Sequence, residues 1–304
     1  MGQLLRTKSI DALLAAAEEP SKRLRKTLGP WSLTALGVGA VIGSGIFILT
    51  GTAAAGETLS YRSILNAPVL DLIRHGPEAL STVGRPGAGP AISLSFLLTA
   101  IACSFAALCY AEMASMIPIA GGAYTYAYAT LGEIFAWIIG WDLILEYAVS
   151  NMAVAVGFSA YFNDLLDSLF GLHLPPQLSG PMIAGGRFTG AWFNLAALIV
   201  LLILTWILVR GVRESAGTNN VMVLIKVAAI LAFVIGAARA VKVTNWQPFM
   251  PNGFGGVLTG AAIVFFTYIG FDSVSTAAEE CRRPQRDLPF GIVASLLICT
   301  VLYV

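Results

Sequence analysis

Three ionisable side chains stand in stretches that are otherwise apolar. Glu146 sits in "FAWIIGWDLILEYAVSNMAVAVGF", Lys226 in "VMVLIKVAAILAFVIGAA", and Asp272 directly after "AAIVFFTYIGF". A charge deep in a bilayer costs at least about 2.5–3.5 kcal/mol on insertion scales, so such groups face a cavity or a partner and mark a pathway. At about 1.5 Å per helical residue, Glu146 falls roughly 16 Å and Lys226 roughly 15 Å into their segments, close to the midplane. Asp142, one turn before Glu146, is nearer the interface and reads as a solvated or capping group.

The backbone offers a second chemistry. "GVGAVIGSGIFILTG" carries glycines at 37, 39, 43, 45 and 51, and each costs a helix about 1 kcal/mol relative to alanine. Close helix packing explains glycines of this kind when taken alone, and Gly39 and Gly43 have the small-xxx-small spacing that favours it. A later apolar segment, "GFGGVLTGAAIVFFTYIGFDSVSTAAEE", is interrupted as well, at Thr267, Tyr268, Ile269 and Gly270. Breaks at corresponding places in two halves point to a transporter site, where half-helix N-termini offer N–H groups to an anion and unwound carbonyls attract cations. The glycines then mark where the chain unwinds, with the N–H groups of Gly43, Ser44 and Gly45 as the expected anion cradle.

The elements that hold these groups follow from hydropathy. Apolar residues make up 57% of the 304 and charged residues only 12%, which is not a soluble composition. Seven apolar segments can be drawn, over 32–55, 90–116, 134–162, 190–209, 217–238, 254–279 and 289–304. They predict an all-α integral membrane protein whose first and sixth helices are broken, and whose sequence ends inside the seventh. Residues 1–31 are charged and amphipathic and do not read as a cleavable signal peptide. With the N-terminus inside, the basic cluster of Lys22, Arg23, Arg25 and Lys26, the pair Arg210 and Arg213, and the group Arg282, Arg283 and Arg286 all fall on the cytoplasmic side. Fewer basic residues fall outside, and that bias predicts a cytoplasmic N-terminus. The tyrosines of 123–131 suit a short interfacial helix, and the long stretch 57–89 is expected to form an extended outside loop.

Other classes find little support. The formal net charge is +1, with no excess to suggest nucleic acid as a partner. The four cysteines lack metal-ligand spacing, no GxxxxGK loop precedes a helix, and Ser44 has no histidine near enough to activate it as a nucleophile. Neither an enzyme nor a bound cofactor or metal is expected.

At these residues a family resemblance emerges. "GVGAVIGSGIF" after "RLRKTLGPWSLTALG", then "CYAEMASMIPIAGGAYTYAYATLGE", then "FFTYIGFDSVSTAAEECRRPQRDLP" resemble the amino acid–polyamine–organocation transporters, in particular the prokaryotic branch similar to cationic amino acid transporters. The resemblance covers most of residues 10–304 and implies the leucine-transporter type of fold, with two inverted five-helix repeats and substrate held at breaks in spans one and six. It implies that the segment Gly43 to Phe47 binds the substrate α-carboxylate through backbone N–H groups, with Ser44 adding its hydroxyl, and that Val41, Ile42, Gly43, Ser44 and Gly45 all belong to the substrate site. The backbone of Thr267, Tyr268, Ile269 and Gly270 would accept from the α-ammonium, and Phe266 would cover the site. Lys226 would take the place of the cation that sodium-coupled relatives hold between spans one and five, which favours protons or exchange over sodium. Asp272 or Glu146 would carry the proton.

The function this implies is secondary active transport of a neutral or cationic α-amino acid across the plasma membrane by alternating access. The alternative is a non-transporting membrane subunit or amino acid sensor with the same pocket. Retention of Lys226, Asp272 and Glu146 leans toward transport.

Overall fold

A computed structural model describes residues 5–17, 24, 26–43, 45–59, 83–180, 183–184, 187–188, 190–210 and 212–304. Helix dominates, as it must where the bilayer offers no water to backbone N–H and C=O groups. Helix α1 spans Ile10–Ala17. Ser9 precedes it and accepts the Ala12 N–H through its hydroxyl at 3.3 Å, and the stripe Ile10, Leu13, Leu14 and Ala17 packs onto the core. Helix α2 spans Pro30–Val41, with proline at the first helical position, where its missing N–H costs nothing. The chain bends at Ile42 and Gly43, makes a π-helical turn over Gly45–Leu49 and continues as α3, Thr50–Ala55.

A hairpin of β1, Gly56–Leu59, and β2, Val83–Pro86, follows, with Gly56 opposite Pro86 and Leu59 opposite Val83. The middle of the 57–89 loop, 60–82, lies outside the described residues. Next come α4, Ile92–Met116, the short α5, Ala123–Thr130, and the long α6, Glu133–Phe170. A second small hairpin, β3, Ile183–Ala184, with β4, Arg187–Phe188, leads into α7, Leu195–Arg210, and α8, Val212–Ala238. Helix α9 spans Gly253–Val264. It gives way to 3₁₀ turns at Phe265–Thr267 and Phe271–Glu280, and α10 spans Pro284–Tyr303.

Six helical stretches among the described residues are long and apolar enough to cross a membrane: Pro30–Ala55, Gly89–Met116, Glu133–Phe170, Asn219–Ala238, Gly253–Glu280 and Pro284–Tyr303. The segment drawn at 190–209 differs, because its helix begins only at Leu195 and is a shorter apolar one. Asn194 sets that start: its side-chain oxygen accepts the Ala197 N–H at 3.1 Å, an N-cap that fixes the first turn.

The core lies where α2, α4 and α10 meet the two 3₁₀ turns, around Leu33, Phe96, Tyr268, Leu288 and Ile292, each at most 1% exposed. Hydroxyls tie helices together there, because lipid tails give apolar helices little reason to associate and polar contacts must help. Ser95 donates to Val257 O at 2.8 Å and Thr99 to Ala261 O at 3.1 Å, joining α4 to α9. By contrast α6 and α8 turn many large apolar side chains outward, Trp141, Leu145, Leu224 and Ile235 among them.

Candidate functional site at two interrupted helices

Where α2 stops, its last carbonyls lose their helical donors. In a continuing helix the Gly39 carbonyl would accept the N–H of Gly43. Here the Gly43 N–H turns back to Val41 O at 2.9 Å, and the Lys226 ammonium on α8 takes the freed oxygens, 3.0 Å from Gly39 O and 2.8 Å from Ile42 O. The Tyr303 hydroxyl at the end of α10 donates to Val41 O at 3.1 Å. Lysine suits this position electrostatically as well, since the C-terminal end of a helix carries partial negative charge. Among the described residues no carboxylate pairs with Lys226, so Glu146 and Asp272 are not its counter-ions.

The second interruption is held by a different set of groups. Gly270 has φ +122°, and a Cβ there would stand 2.9 Å from the Ala40 backbone carbonyl, so a side chain would be both strained and crowded. The Asp272 carboxylate caps this turn, accepting the Gly270 N–H through Oδ1 at 3.2 Å and the Tyr147 hydroxyl of α6 through Oδ2 at 3.1 Å. The Thr267 carbonyl lies 3.4 Å from the Tyr303 hydroxyl. One phenol on α10 thus reaches carbonyls of both interrupted segments. The two segments also touch directly, for a Cβ on Gly45 would come within 2.8 Å of Thr267 Cα.

The remaining sequence candidates fall as follows. Val41 and Ile42 are buried, and Gly43 lines a cavity of about 280 Å³ with Ile42, Phe47, Phe158, Tyr161 and Lys226. Ser44 lies outside the described residues. The Gly43 N–H is already engaged by Val41 O at the point where the expected anion cradle begins, and the π-helical turn starts two residues later at Gly45. Tyr268 is fully buried and its hydroxyl donates to Phe96 O at 3.2 Å, leaving only its backbone to the interrupted segment. Phe266 and Ile269 are half-buried. Glu146 is half-buried beside Tyr147, within electrostatic range of Asp272 and Asp142.

Sequence reasoning missed three tyrosines. Tyr147 and Tyr303 are described above, and Tyr161 donates to Phe47 O at 2.6 Å. Their signal was weak, since a tyrosine in a membrane helix reads first as an interfacial anchor. Only the contact across the fold shows a hydroxyl serving a helix break.

Residues 28–304 match the family described as amino acid permease. The chain belongs to that family. It is 48% identical over its whole length to a branched-chain amino acid permease of Bacillus subtilis, and 47% identical to a methylthioribose transporter of the same organism, covering 58% of each. To the chloroplastic cationic amino acid transporter 9 of Arabidopsis thaliana it is 38% identical, with 99% of this chain and 48% of the relative covered. The chain therefore spans about half to three-fifths of the length of these relatives. Family membership and the six apolar helical stretches among the described residues make this family member a multi-pass membrane protein.

Proposed function

We propose that the chain supplies the substrate-binding part of a secondary active transporter for an α-amino acid, neutral or cationic, acting by alternating access across the plasma membrane. In this reading the interruptions at Ile42–Gly45 and Thr267–Gly270 are the unwound middles of spans one and six in a fold of two inverted five-helix repeats. Residues 1–31 then face the cytoplasm and 57–89 the outside. The substrate carboxylate meets the N–H groups of the turn over Gly45–Leu49, at the positive end of a half-helix. The α-ammonium meets the carbonyls of Thr267 to Gly270, and half-buried Phe266 closes over both.

The observation that carries the proposal is the Lys226 ammonium bonded to Gly39 O and Ile42 O. A fixed cation supports those carbonyls without sodium, so coupling falls to protons or to exchange. Glu146, whose side-chain carboxylate has no hydrogen-bond partner among the described residues, is better placed than Asp272 to take up and release a proton, because the Asp272 oxygens already hold Gly270 and Tyr147. The relatives named for amino acids support the substrate class.

Proteoliposomes carrying the full-length protein test the proposal. Uptake of radiolabelled leucine or lysine, faster when the outside is made acidic or when the lumen is preloaded with the same amino acid, is the expected result. Binding of amino acid without any flux would select the sensor instead, and neither binding nor flux would sink both.

A further inference from the structure

At the end of the bundle where α2 and α10 begin, the chain closes on itself. Thr27 and Leu28 N–H groups donate to Glu280 O at 2.9 and 3.0 Å, and Arg282 N–H donates to Leu28 O at 3.0 Å. This clasp sets the two helix N-termini side by side and leaves a cavity of about 660 Å³ between them, lined by Gly29, Trp31, Arg282, Arg283, Arg286 and Phe290, with Pro30 and Asp287 completing it. The three arginines are exposed, and among the described residues none has an ion-pair partner. Asp287 is buried, at 6% exposure, with the Cys281 sulfur 4.0 Å from its Oδ2, so the accessible rim of the cavity is positive. Gly29 and Arg283, which precede α2 and α10, make no side-chain cap bonds, although the Arg286 and Asp287 N–H groups donate to Arg283 O, so the positive charge of the rim comes from the arginine side chains.

The rim is also aromatic. Trp31 and Phe290 are 71% and 43% exposed and meet edge to face at 5.4 Å. Exposed aromatic rings within the first two turns of two membrane-spanning helices stand at headgroup level.

We propose that this cavity binds the phosphate headgroup of an anionic phospholipid from the leaflet that this end of the bundle meets. The guanidinium groups take the phosphate oxygens, for which their planar fork is suited, and Trp31 and Phe290 lie along the glycerol and upper acyl chain. Basic pockets between membrane helices hold lipid headgroups in this manner. A bound lipid would bridge α2 to α10, the helices whose far ends are joined at the interrupted segments through Tyr303 and Val41. The inference is independent of transport and is read by lipid binding alone.

The test is fluorescence quenching of the full-length protein in vesicles containing brominated phosphatidylglycerol or, separately, brominated phosphatidylcholine. The glycerol lipid quenches more at equal mole fraction, and Trp31→Phe removes that excess. A variant combining Arg282→Gln, Arg283→Gln and Arg286→Gln lowers the lipid preference by roughly tenfold or more, since each basic group near the surface contributes about fivefold. The matching triple lysine variant keeps most of the preference. Equal quenching by the two lipids, or a preference unchanged by the glutamines, overturns the proposal. So does loss of the preference on adding excess inorganic phosphate, which would assign the site to a free anion.

Discussion

At the residue scale the weight falls on groups that finish what two stopped helices leave undone. Lys226 and Tyr303 satisfy Gly39 O, Val41 O and Ile42 O, and an unsatisfied buried carbonyl costs about 1–3 kcal/mol. Lys226→Ala is expected to lower substrate binding by at least about tenfold through collapse of this turn, as measured by titration of labelled amino acid. Near-normal binding by that variant would show that the ammonium is dispensable. Asp272 should behave differently, because asparagine keeps an oxygen for the Gly270 N–H. Asp272→Ala is expected to lower stability by about 1–3 kcal/mol, and Asp272→Asn by less, in thermal unfolding of the purified protein. An alanine variant as stable as the parent would show that the carboxylate does not hold the turn.

At the element scale the interruptions depend on backbone room. Gly270→Ala places a Cβ against Ala40 at 2.9 Å with φ +122°, strain of about 1–3 kcal/mol that should appear as reduced yield of folded protein. Gly43 gives the opposite outcome, for a Cβ there meets nothing within 4 Å. Gly43→Ala should therefore fold normally yet bind substrate about tenfold more weakly, since the methyl occupies space the substrate needs. Normal folding with unchanged affinity would move the substrate away from this turn. The clasp at the other end has its own signature. Cys281 is fully buried beneath it, and burial pushes its thiol above the ordinary range. At neutral pH it should resist maleimide until the protein is denatured, and rapid labelling of the native protein would mean that the clasp opens.

At the scale of the whole molecule, the helical membrane class and the family were legible in the sequence. Long apolar runs have few physical outcomes, and the glycine-rich and "FFTYIGFDS" segments that carried the resemblance both lie within the residues that match the family. Single charges in apolar runs drew attention to Lys226 and Asp272 because burying them is expensive, but hydropathy could not say which partner each finds. Hence the pairing of Asp272 with Tyr147, and of Tyr303 with both interrupted segments, came only from the fold, where residues far apart in sequence meet. The late start of α7 was missed for a related reason: a capping bond from Asn194 decides it, and average hydropathy is blind to single bonds.

In the proposed mechanism the Lys226 ammonium, bonded to Gly39 O and Ile42 O, stands where a coupling cation would otherwise be needed. Uptake of labelled amino acid into proteoliposomes, with and without sodium, tests it most directly. The full-length protein should transport equally well in sodium-free buffer, and Lys226→Ala should abolish uptake while the protein still elutes as a folded species. Uptake by the parent that requires a sodium gradient, or undiminished uptake by the alanine variant, would contradict the account.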